Sequence, residues 1–174
     1  MQKAGAKFNP EKAKWYNREY LRLKSDEELT DLFLPVLEEK GLSFPREYVR
    51  SVISFTKERA TFVRDFWDIA SYLFEAPKEY IRKDVDKFWK PETVELVGKL
   101  GAFINEYDGE WTVGSIGTAI EEYIKGNEWP MGKVMNALRL ALAGSASGLG
   151  IADIVARIGR EETSERIARA IETL

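Results

Sequence analysis

Apolar residues recur every three or four positions along almost the whole chain, and this spacing limits the fold more than any other feature. The longest such stretch, residues 44–75, opens with one broad apolar face formed by Tyr48, Val49, Val52, Ile53 and Phe55. No segment alternates apolar and polar residues as a half-buried strand would, and no Asn-Gly hairpin turn occurs. The sequence therefore predicts an all-α protein of about ten helices in two consecutive helical subdomains.

Local signals mark several helix ends. Asn9 followed by Pro10 is typical of an N-cap with proline in the first turn. Ser25 and Glu28 have the spacing of a capping box, in which each side chain bonds the backbone N–H of the other residue. Gly41 predicts the end of the helix that this box begins.

Other signals predict interruptions. Pro35 lies inside the second helix and predicts a kink or break, because proline lacks the N–H that a helix interior needs. The long stretch is expected to break around Ala60 to Val63, since few globular helices continue so far without a stop. A proline and a charged cluster near residues 76–84 predict the boundary between two subdomains, at residues 1–81 and 82–174. Trp15, at helical spacing, is predicted to be a core residue.

The composition excludes many kinds of active site. The 174 residues include no histidine and no cysteine, which excludes histidine-dependent nucleophilic catalysis, imidazole or thiolate metal sites and disulfides. Paired carboxylates such as Glu121–Glu122 lie on expected helix surfaces, with no partner for acid–base chemistry. The segment GSASGLG, residues 144–150, has neither the lysine nor the preceding strand of a phosphate-binding loop. The sequence predicts no catalytic residue, cofactor site or metal site.

Charge and hydropathy limit the kinds of partner that the chain can bind. The net charge is −3, from 26 basic and 29 acidic side chains, so any RNA-binding face must be local. No apolar run is long enough for a transmembrane helix, and the first residues do not form a secretory signal. We expect a cytoplasmic monomer that does not bind membranes.

One arginine occupies an otherwise apolar helix. If Leu138 is the centre of the buried face, Arg139 lies about 100° away, on its flank. Two interpretations remain open. In the first, the guanidinium extends to the edge of the apolar face, into solvent or into a surface ion pair. In the second, it stacks on a single-stranded RNA base or donates hydrogen bonds to it. The loop that follows is either a flexible connection or a set of backbone N–H groups near a helix N-terminus, where phosphate or base acceptors fit.

Four segments carry a family resemblance in the right order and spacing: residues 8–21, 57–74, 132–144 and 158–171. The first contains a Lys-x-x-Trp-aromatic-Asn pattern, and the third contains Leu138, Arg139 and Gly144. Together they resemble the region that follows the catalytic domain in bacterial-type glutamyl-tRNA synthetases. Two departures occur at Ala137 and Leu149, where that family often carries proline.

The resemblance implies an all-helical cage that binds the anticodon of glutamate tRNA, with residues 1–81 on the stem side and 82–174 as the C-terminal subdomain. It implies that anticodon nucleotides are contacted by Arg139 and by a loop that includes Gly148, Leu149 and Ile151. It implies that Arg59 reads the last anticodon base. Considered alone, Arg59 is expected to form an ion pair with Asp65 or Glu58.

The resemblance also implies partners. The chain would bind the tRNA(Glu) anticodon stem-loop without catalysing a reaction itself, and a catalytic domain of the same parent chain would attach glutamate using ATP. Phosphates would be positioned by basic residues such as Lys125, Lys133, Arg157 and Arg160. The alternative is a helical protein-interaction scaffold without RNA binding, which the acidic pI near 5.3 and the five tryptophans favour.

Overall fold

The structure, a computed structural model, describes residue 5 and residues 7–174. Within that part of the chain it contains nine α-helices, two short 3-10 helices and no strand, which confirms the all-α prediction. The chain forms two compact units, Met1–Ser71 and Tyr72–Leu174. The division at residue 81 into two anticodon-binding subdomains stays a prediction. None of the described helices combines the length and hydropathy that crossing a membrane requires.

The first unit is built on the packing of its second and third helices. Its elements are α1 (Pro10–Leu23), α2 (Asp26–Glu39), α3 (Arg46–Thr56), a 3-10 helix (Lys57–Arg59) and α4 (Asp65–Ala70). α2 and α4 both pack against α3, and the buried rings of Phe33 and Phe66 meet edge to face with centroids 5.8 Å apart. The chain leaves helical structure between α3 and α4, which confirms the predicted break around Ala60 to Val63.

Three predicted helix ends are present in the first unit. Asn9 Oδ1 accepts hydrogen bonds from two N–H groups in the first turn of α1, at 3.1 and 3.3 Å. The N–H of Glu28 donates to Ser25 Oγ at 3.1 Å, and the N–H of Ser25 donates to Glu28 Oε2 at 2.8 Å. The hydrogen bond from the backbone N–H of Ser25 lowers the pKa of Glu28 below its usual value. Gly41 follows α2 with a left-handed φ of 71°.

Replacement Ser25→Ala should lower the free energy of unfolding by about 1 kcal/mol, because the N–H of Glu28 loses its acceptor. Urea denaturation followed by circular dichroism measures this change. Ser51→Ala is the matched control, since among the described residues the exposed Ser51 hydroxyl bonds only the Tyr48 carbonyl of its own helix. It should change the free energy by less than about 0.5 kcal/mol. Equal losses in the two variants would contradict a specific role for the capping box.

Two further positions bear on the expectations. Of the kink or break predicted at Pro35, the break does not occur, because α2 continues through this residue. Pro35 and Asp31, four residues earlier, are both exposed, so water can bond the Asp31 carbonyl that the missing N–H leaves free. The core assignment of Trp15 is wrong, because its side chain is 56% exposed. The buried residue of α1 is Leu21, which lies about 120° from Trp15 around the helix.

The second unit is organised around its fourth helix, on which its other helices pack. Its helices are α5 (Arg82–Phe88), α6 (Pro91–Glu106), α7 (Val113–Gly126), α8 (Met131–Ala143) and α9 (Ile151–Thr173), and α9 is interrupted at Gly159, where φ is 87°. α8 packs against α5, α6, α7 and α9. The predicted face around Leu138 is confirmed, and Leu140 on another side is also buried. Arg139 therefore leaves α8 along a narrow flank.

Candidate nucleic-acid interface

The loop between α8 and α9, residues 144–150, begins in close contact with the segment before α5. Gly144 ends α8 with a left-handed φ of 79°, and its carbonyl accepts a 2.8 Å hydrogen bond from the N–H of Ile81. A Cβ atom at Gly144 would lie 2.5 Å from the carbonyl oxygen of Glu79. Only glycine fits this position, so the start of the loop is fixed.

Arg139 holds the loop. Its Nη1 donates to the carbonyl of Ala146 at 2.9 Å, and its Nε donates to the carbonyl of Leu149 at 3.1 Å. Nη1 also reaches Asn136 Oδ1 at 3.3 Å. The half-buried guanidinium thus bridges carbonyls three residues apart, and it forms no ion pair with a described residue. Its Nη2 makes no hydrogen bond to any described residue and remains available for a ligand.

Two more side chains hold the same loop from distant positions in the sequence. Asp84 Oδ2 accepts from the N–H of Ala146 at 2.9 Å and from Ser145 Oγ at 3.2 Å. The Tyr72 hydroxyl accepts from the N–H of Leu149 at 3.0 Å. The segment that the sequence presents as a possible flexible connection is therefore bonded along its length by side chains of the second unit.

These bonds change which loop groups a ligand can reach. The N–H groups of Ala146 and Leu149 are already bonded, and that of Ser147 donates to Ser145 Oγ at 3.2 Å. Of the three predicted loop residues, Gly148 is exposed, whereas Leu149 and Ile151 are buried. Their contacts with RNA stay predictions. In this conformation, Gly148 is the one of the three that presents a surface.

A cleft of about 400 Å³ opens beside the loop. Asn136 and Ala146, both bonded to Arg139, form part of its wall. The other lining residues are Ile81, Lys83, Asp84, Phe88, Ser145 and Ser147. The cleft offers an exposed ammonium, a half-buried aromatic ring, an amide and hydroxyl groups. These are the groups that stack and bond an unpaired nucleotide.

Arg59, the second predicted base reader, lies at the end of the 3-10 helix in the first unit. It is exposed and forms neither of the expected ion pairs. Asp65 instead accepts the N–H groups of Thr61 and Phe62, both at 2.9 Å. Glu58 pairs with Arg22 at 2.9 Å. Asp65 and Glu58 are thus both bonded to other groups, and the guanidinium of Arg59 has no partner among the described residues.

The four predicted phosphate-positioning residues divide into two kinds. Lys125 and Lys133 are both exposed, but the Lys125 ammonium lies 3.9 Å from Glu121 Oε2, so Lys133 is the freer of the two to meet a phosphate. Arg157 Nη1 bonds the carboxylate of Asp153 at 3.1 Å, and Arg160 donates to two backbone carbonyls at 2.6 and 3.2 Å. The two arginines hold their own fold, so phosphate contacts are expected mainly from the lysines and from Lys83 in the cleft.

Arg166 was not predicted from the sequence, although it bonds the backbone of Tyr72, one of the residues that hold the loop. It is 2% exposed and donates to the carbonyls of Tyr72 at 2.6 Å and Leu142 at 2.8 Å. Its Nε also pairs with Glu162 at 2.7 Å. Arg166 thereby fixes the backbone of the tyrosine that bonds the loop. The sequence does contain a signal for it, because Arg166 lies on the same apolar face of α9 as Ile167 and Ala170.

Replacement Gly148→Ala should destabilise the loop by about 1–3 kcal/mol, because the backbone has a φ of 132° and the new Cβ would lie 2.7 Å from the Tyr72 hydroxyl. The free energy of unfolding in urea measures the effect. Gly132→Ala is the control, since a Cβ there meets nothing within 4 Å in α8. The control should leave stability unchanged or raise it by up to about 1 kcal/mol. A neutral Gly148→Ala variant would show that the loop relaxes freely.

Comparison with known proteins yields one consistent family. A family profile described as the anticodon binding domain matches residues 28–171. The glutamate–tRNA ligase of Flavobacterium johnsoniae is 44% identical over 172 residues, which are 99% of this chain and 34% of the relative. That of Porphyromonas gingivalis is 40% identical over the same shares. The chain thus spans about a third of the length of these relatives, in their C-terminal region.

A solved structure has the same fold. The crystal structure of a glutamate tRNA ligase from Elizabethkingia meningosepticum, in complex with its amino acid, matches with a TM-score of 0.90 and 40% identity. The match covers 100% of this chain and 34% of that one. A glutamate–tRNA synthetase from Elizabethkingia anophelis matches with a TM-score of 0.83 and 36% identity.

Proposed function

Since the chain belongs to the anticodon-binding domain family found in glutamate–tRNA ligases, we propose that it binds the anticodon loop of tRNA(Glu). One observation carries this proposal: Arg139, Asp84 and Tyr72 hold a glycine- and serine-rich loop beside a cleft that contains a cation and an aromatic ring. A loop that is ordered before binding loses less conformational entropy when RNA arrives.

The groups around the loop suit different parts of a nucleotide. Arg139 orders the loop through Nε and Nη1 and keeps Nη2 for the edge of a base. The Phe88 ring offers a stacking surface, and the Asn136 amide carries both a donor and acceptors for a base edge. The exposed Lys83 suits a phosphate, and exposed Gly148 allows the RNA backbone to come close.

Arg59, in the first unit, is the second residue that we propose contacts an anticodon base. Its exposed guanidinium, with no described partner, is available to read the last anticodon base. The parent protein would be a cytoplasmic glutamate–tRNA ligase whose catalytic domain attaches glutamate with ATP. This chain would act in it as a monomeric RNA-binding part without catalysis of its own. A helical scaffold that binds protein and no RNA is the competing function.

The direct test is fluorescence anisotropy with a labelled tRNA(Glu) anticodon stem-loop. A hairpin with the same stem and a four-nucleotide loop is the control, because it keeps the duplex phosphates and removes the unpaired anticodon. We expect the anticodon stem-loop to bind at least about tenfold tighter, or 1.4 kcal/mol. Equal affinities would mean that the chain grips duplex alone. Binding of a protein partner with no RNA binding would favour the scaffold.

Salt dependence should be shallow, because few basic residues near the site are free for phosphates. The slope of log affinity against log salt concentration is expected to correspond to about three or four phosphates, at roughly 0.9 per contact. Titration of the anticodon stem-loop at several potassium chloride concentrations measures it. A slope that indicates eight or more released counterions would contradict this interface.

A further inference from the structure

The segment that contains α5, residues 78–90, has a charge opposite to that of the rest of its unit. It carries five basic and three acidic side chains. The remainder of the second unit carries eight basic and fourteen acidic side chains. This segment is therefore a local positive region on an acidic unit, and a local excess of this kind attracts a polyanion.

Three of the five bases in this segment have no acidic partner. Lys78 pairs with Glu75 at 3.2 Å, and Arg82 pairs with Asp86 at 3.0 Å. The remaining three, which we call the lysine strip, are Lys83, Lys87 and Lys90. All three are exposed, and none forms an ion pair or a side-chain hydrogen bond with a described residue. A phosphate would therefore meet these ammonium groups without breaking an existing pair.

The lysine strip begins in the cleft beside the loop between α8 and α9. Lys83 and Phe88 both line that cleft, and the Lys87 ammonium lies 5.0 Å from the centroid of the Phe88 ring. Lys83 and Lys87 are about one helical turn apart and are neighbours on the surface of α5. Lys90 follows shortly after the end of α5. A nucleotide whose base stacks on Phe88 would bring its own phosphates to this row of ammonium groups.

A fourth free lysine lies on the α8 side of the cleft. Asn136 lines the cleft, and Lys133 lies one turn earlier on the same helix. Lys133 is exposed and has no ion pair with a described residue. Since α5 and α8 pack against each other, the two helices bring free ammonium groups to both sides of one cleft. These cations correspond to the about three or four phosphate contacts expected from the salt dependence.

We propose that the lysine strip holds consecutive phosphates of the RNA whose unpaired base enters the cleft. The strip supplies affinity without sequence preference, because every nucleotide carries the same phosphate, while the loop and Arg139 contact the bases. A phosphodiester chain fits better than an acidic protein segment, since the adjoining cleft offers a ring, an amide and hydroxyl groups. This inference rests on the proposed function, because it requires that the ligand be RNA.

Two triple variants that remove the same charge test the proposal. The strip variant is Lys83→Gln, Lys87→Gln, Lys90→Gln. The control variant changes three exposed bases outside the segment and is Lys40→Gln, Lys99→Gln, Arg169→Gln. Anisotropy with the tRNA(Glu) anticodon stem-loop at several potassium chloride concentrations gives the affinity and the salt slope of each protein. Both variants should keep the urea midpoint of the unmodified chain, because the changed side chains are exposed.

We expect the strip variant to bind the stem-loop at least about tenfold more weakly than the unmodified chain. Its salt slope should fall by about 2 to 3, because each lost phosphate contact removes roughly 0.7 to 0.9. The control variant should keep the slope of the unmodified chain. The affinity ratio between stem-loops with the anticodons UUC and UUG should stay the same in the strip variant, since phosphates carry no sequence information.

Three results would overturn the strip. These are equal slopes in the strip and control variants, a changed ratio of UUC to UUG affinity in the strip variant, and tighter binding of polyglutamate than of the stem-loop by the unmodified chain. The hairpin with a four-nucleotide loop separates the two proposals. Equal affinity for both hairpins, with a slope reduced only in the strip variant, would refute anticodon binding alone. Preference for the anticodon stem-loop, with equal slopes in both variants, would refute the strip alone. Absence of RNA binding by the unmodified chain would refute both.

Discussion

Replacement of the buried arginine, Arg166→Ala, should lower the free energy of unfolding by about 3 kcal/mol or more. The change removes hydrogen bonds to the part-buried carbonyl of Tyr72 and the buried carbonyl of Leu142, and the smaller side chain supplies no replacement donor. It also leaves the Glu162 carboxylate, which is 36% exposed, without its cation. A buried acceptor without a donor costs more than the bond itself contributed, and here two acceptors are affected.

Urea denaturation at neutral pH measures the loss, and Arg169→Ala on the same helix is the control. Arg169 is exposed, so its replacement should change the free energy of unfolding by less than about 0.5 kcal/mol. Because Arg166 fixes the backbone of Tyr72, the surviving folded Arg166→Ala protein should also bind the anticodon stem-loop more weakly. A loss of stability no larger than that of the control would contradict the assigned role.

The Arg139→Ala variant should bind the anticodon stem-loop at least about tenfold more weakly than the unmodified chain, equivalent to 1.4 kcal/mol. Two effects add. The carbonyls of Ala146 and Leu149 lose their shared donor, so the loop loses its order before binding. The base also loses a hydrogen bond from the guanidinium, and hydrogen bonds to charged groups contribute about 1.5–3 kcal/mol each.

The variant Arg139→Lys distinguishes the geometry from the charge. A single ammonium cannot reproduce the fixed spacing with which Nε and Nη1 reach carbonyls three residues apart. We therefore expect Arg139→Lys to bind nearly as weakly as Arg139→Ala, while Arg169→Ala binds as the unmodified chain does. Full affinity in Arg139→Lys would mean that only the positive charge matters, and full affinity in Arg139→Ala would exclude any role in binding.

Helices and their ends were predictable because their causes are local. The cap at Asn9, the box of Ser25 and Glu28 and the glycine stop at Gly41 each involve residues within four positions of one another. The buried face around Leu138 follows from helical spacing alone. Trp15 shows the limit of such reasoning, because spacing identifies an apolar face without indicating whether a partner within the same chain covers it.

The interactions that hold the candidate site were not predictable in this way. Asp84 bonds Ala146 across 62 positions and Tyr72 bonds Leu149 across 77, and no local pattern links such residues. The flank position of Arg139 did follow from the helical wheel, but its partners are backbone carbonyls, which carry no sequence signal. Arg166 had a visible signal, since a charged residue in an apolar stripe requires buried acceptors.

Anisotropy with two anticodon stem-loops tests most directly the proposal that this chain reads the anticodon of glutamate tRNA. One carries the glutamate anticodon UUC and the other carries UUG, at one fixed salt concentration. We expect UUC to bind about tenfold tighter, or 1.4 kcal/mol, because Arg59 and Arg139 have groups free to bond a base. Equal binding of the two would contradict reading of the last anticodon base.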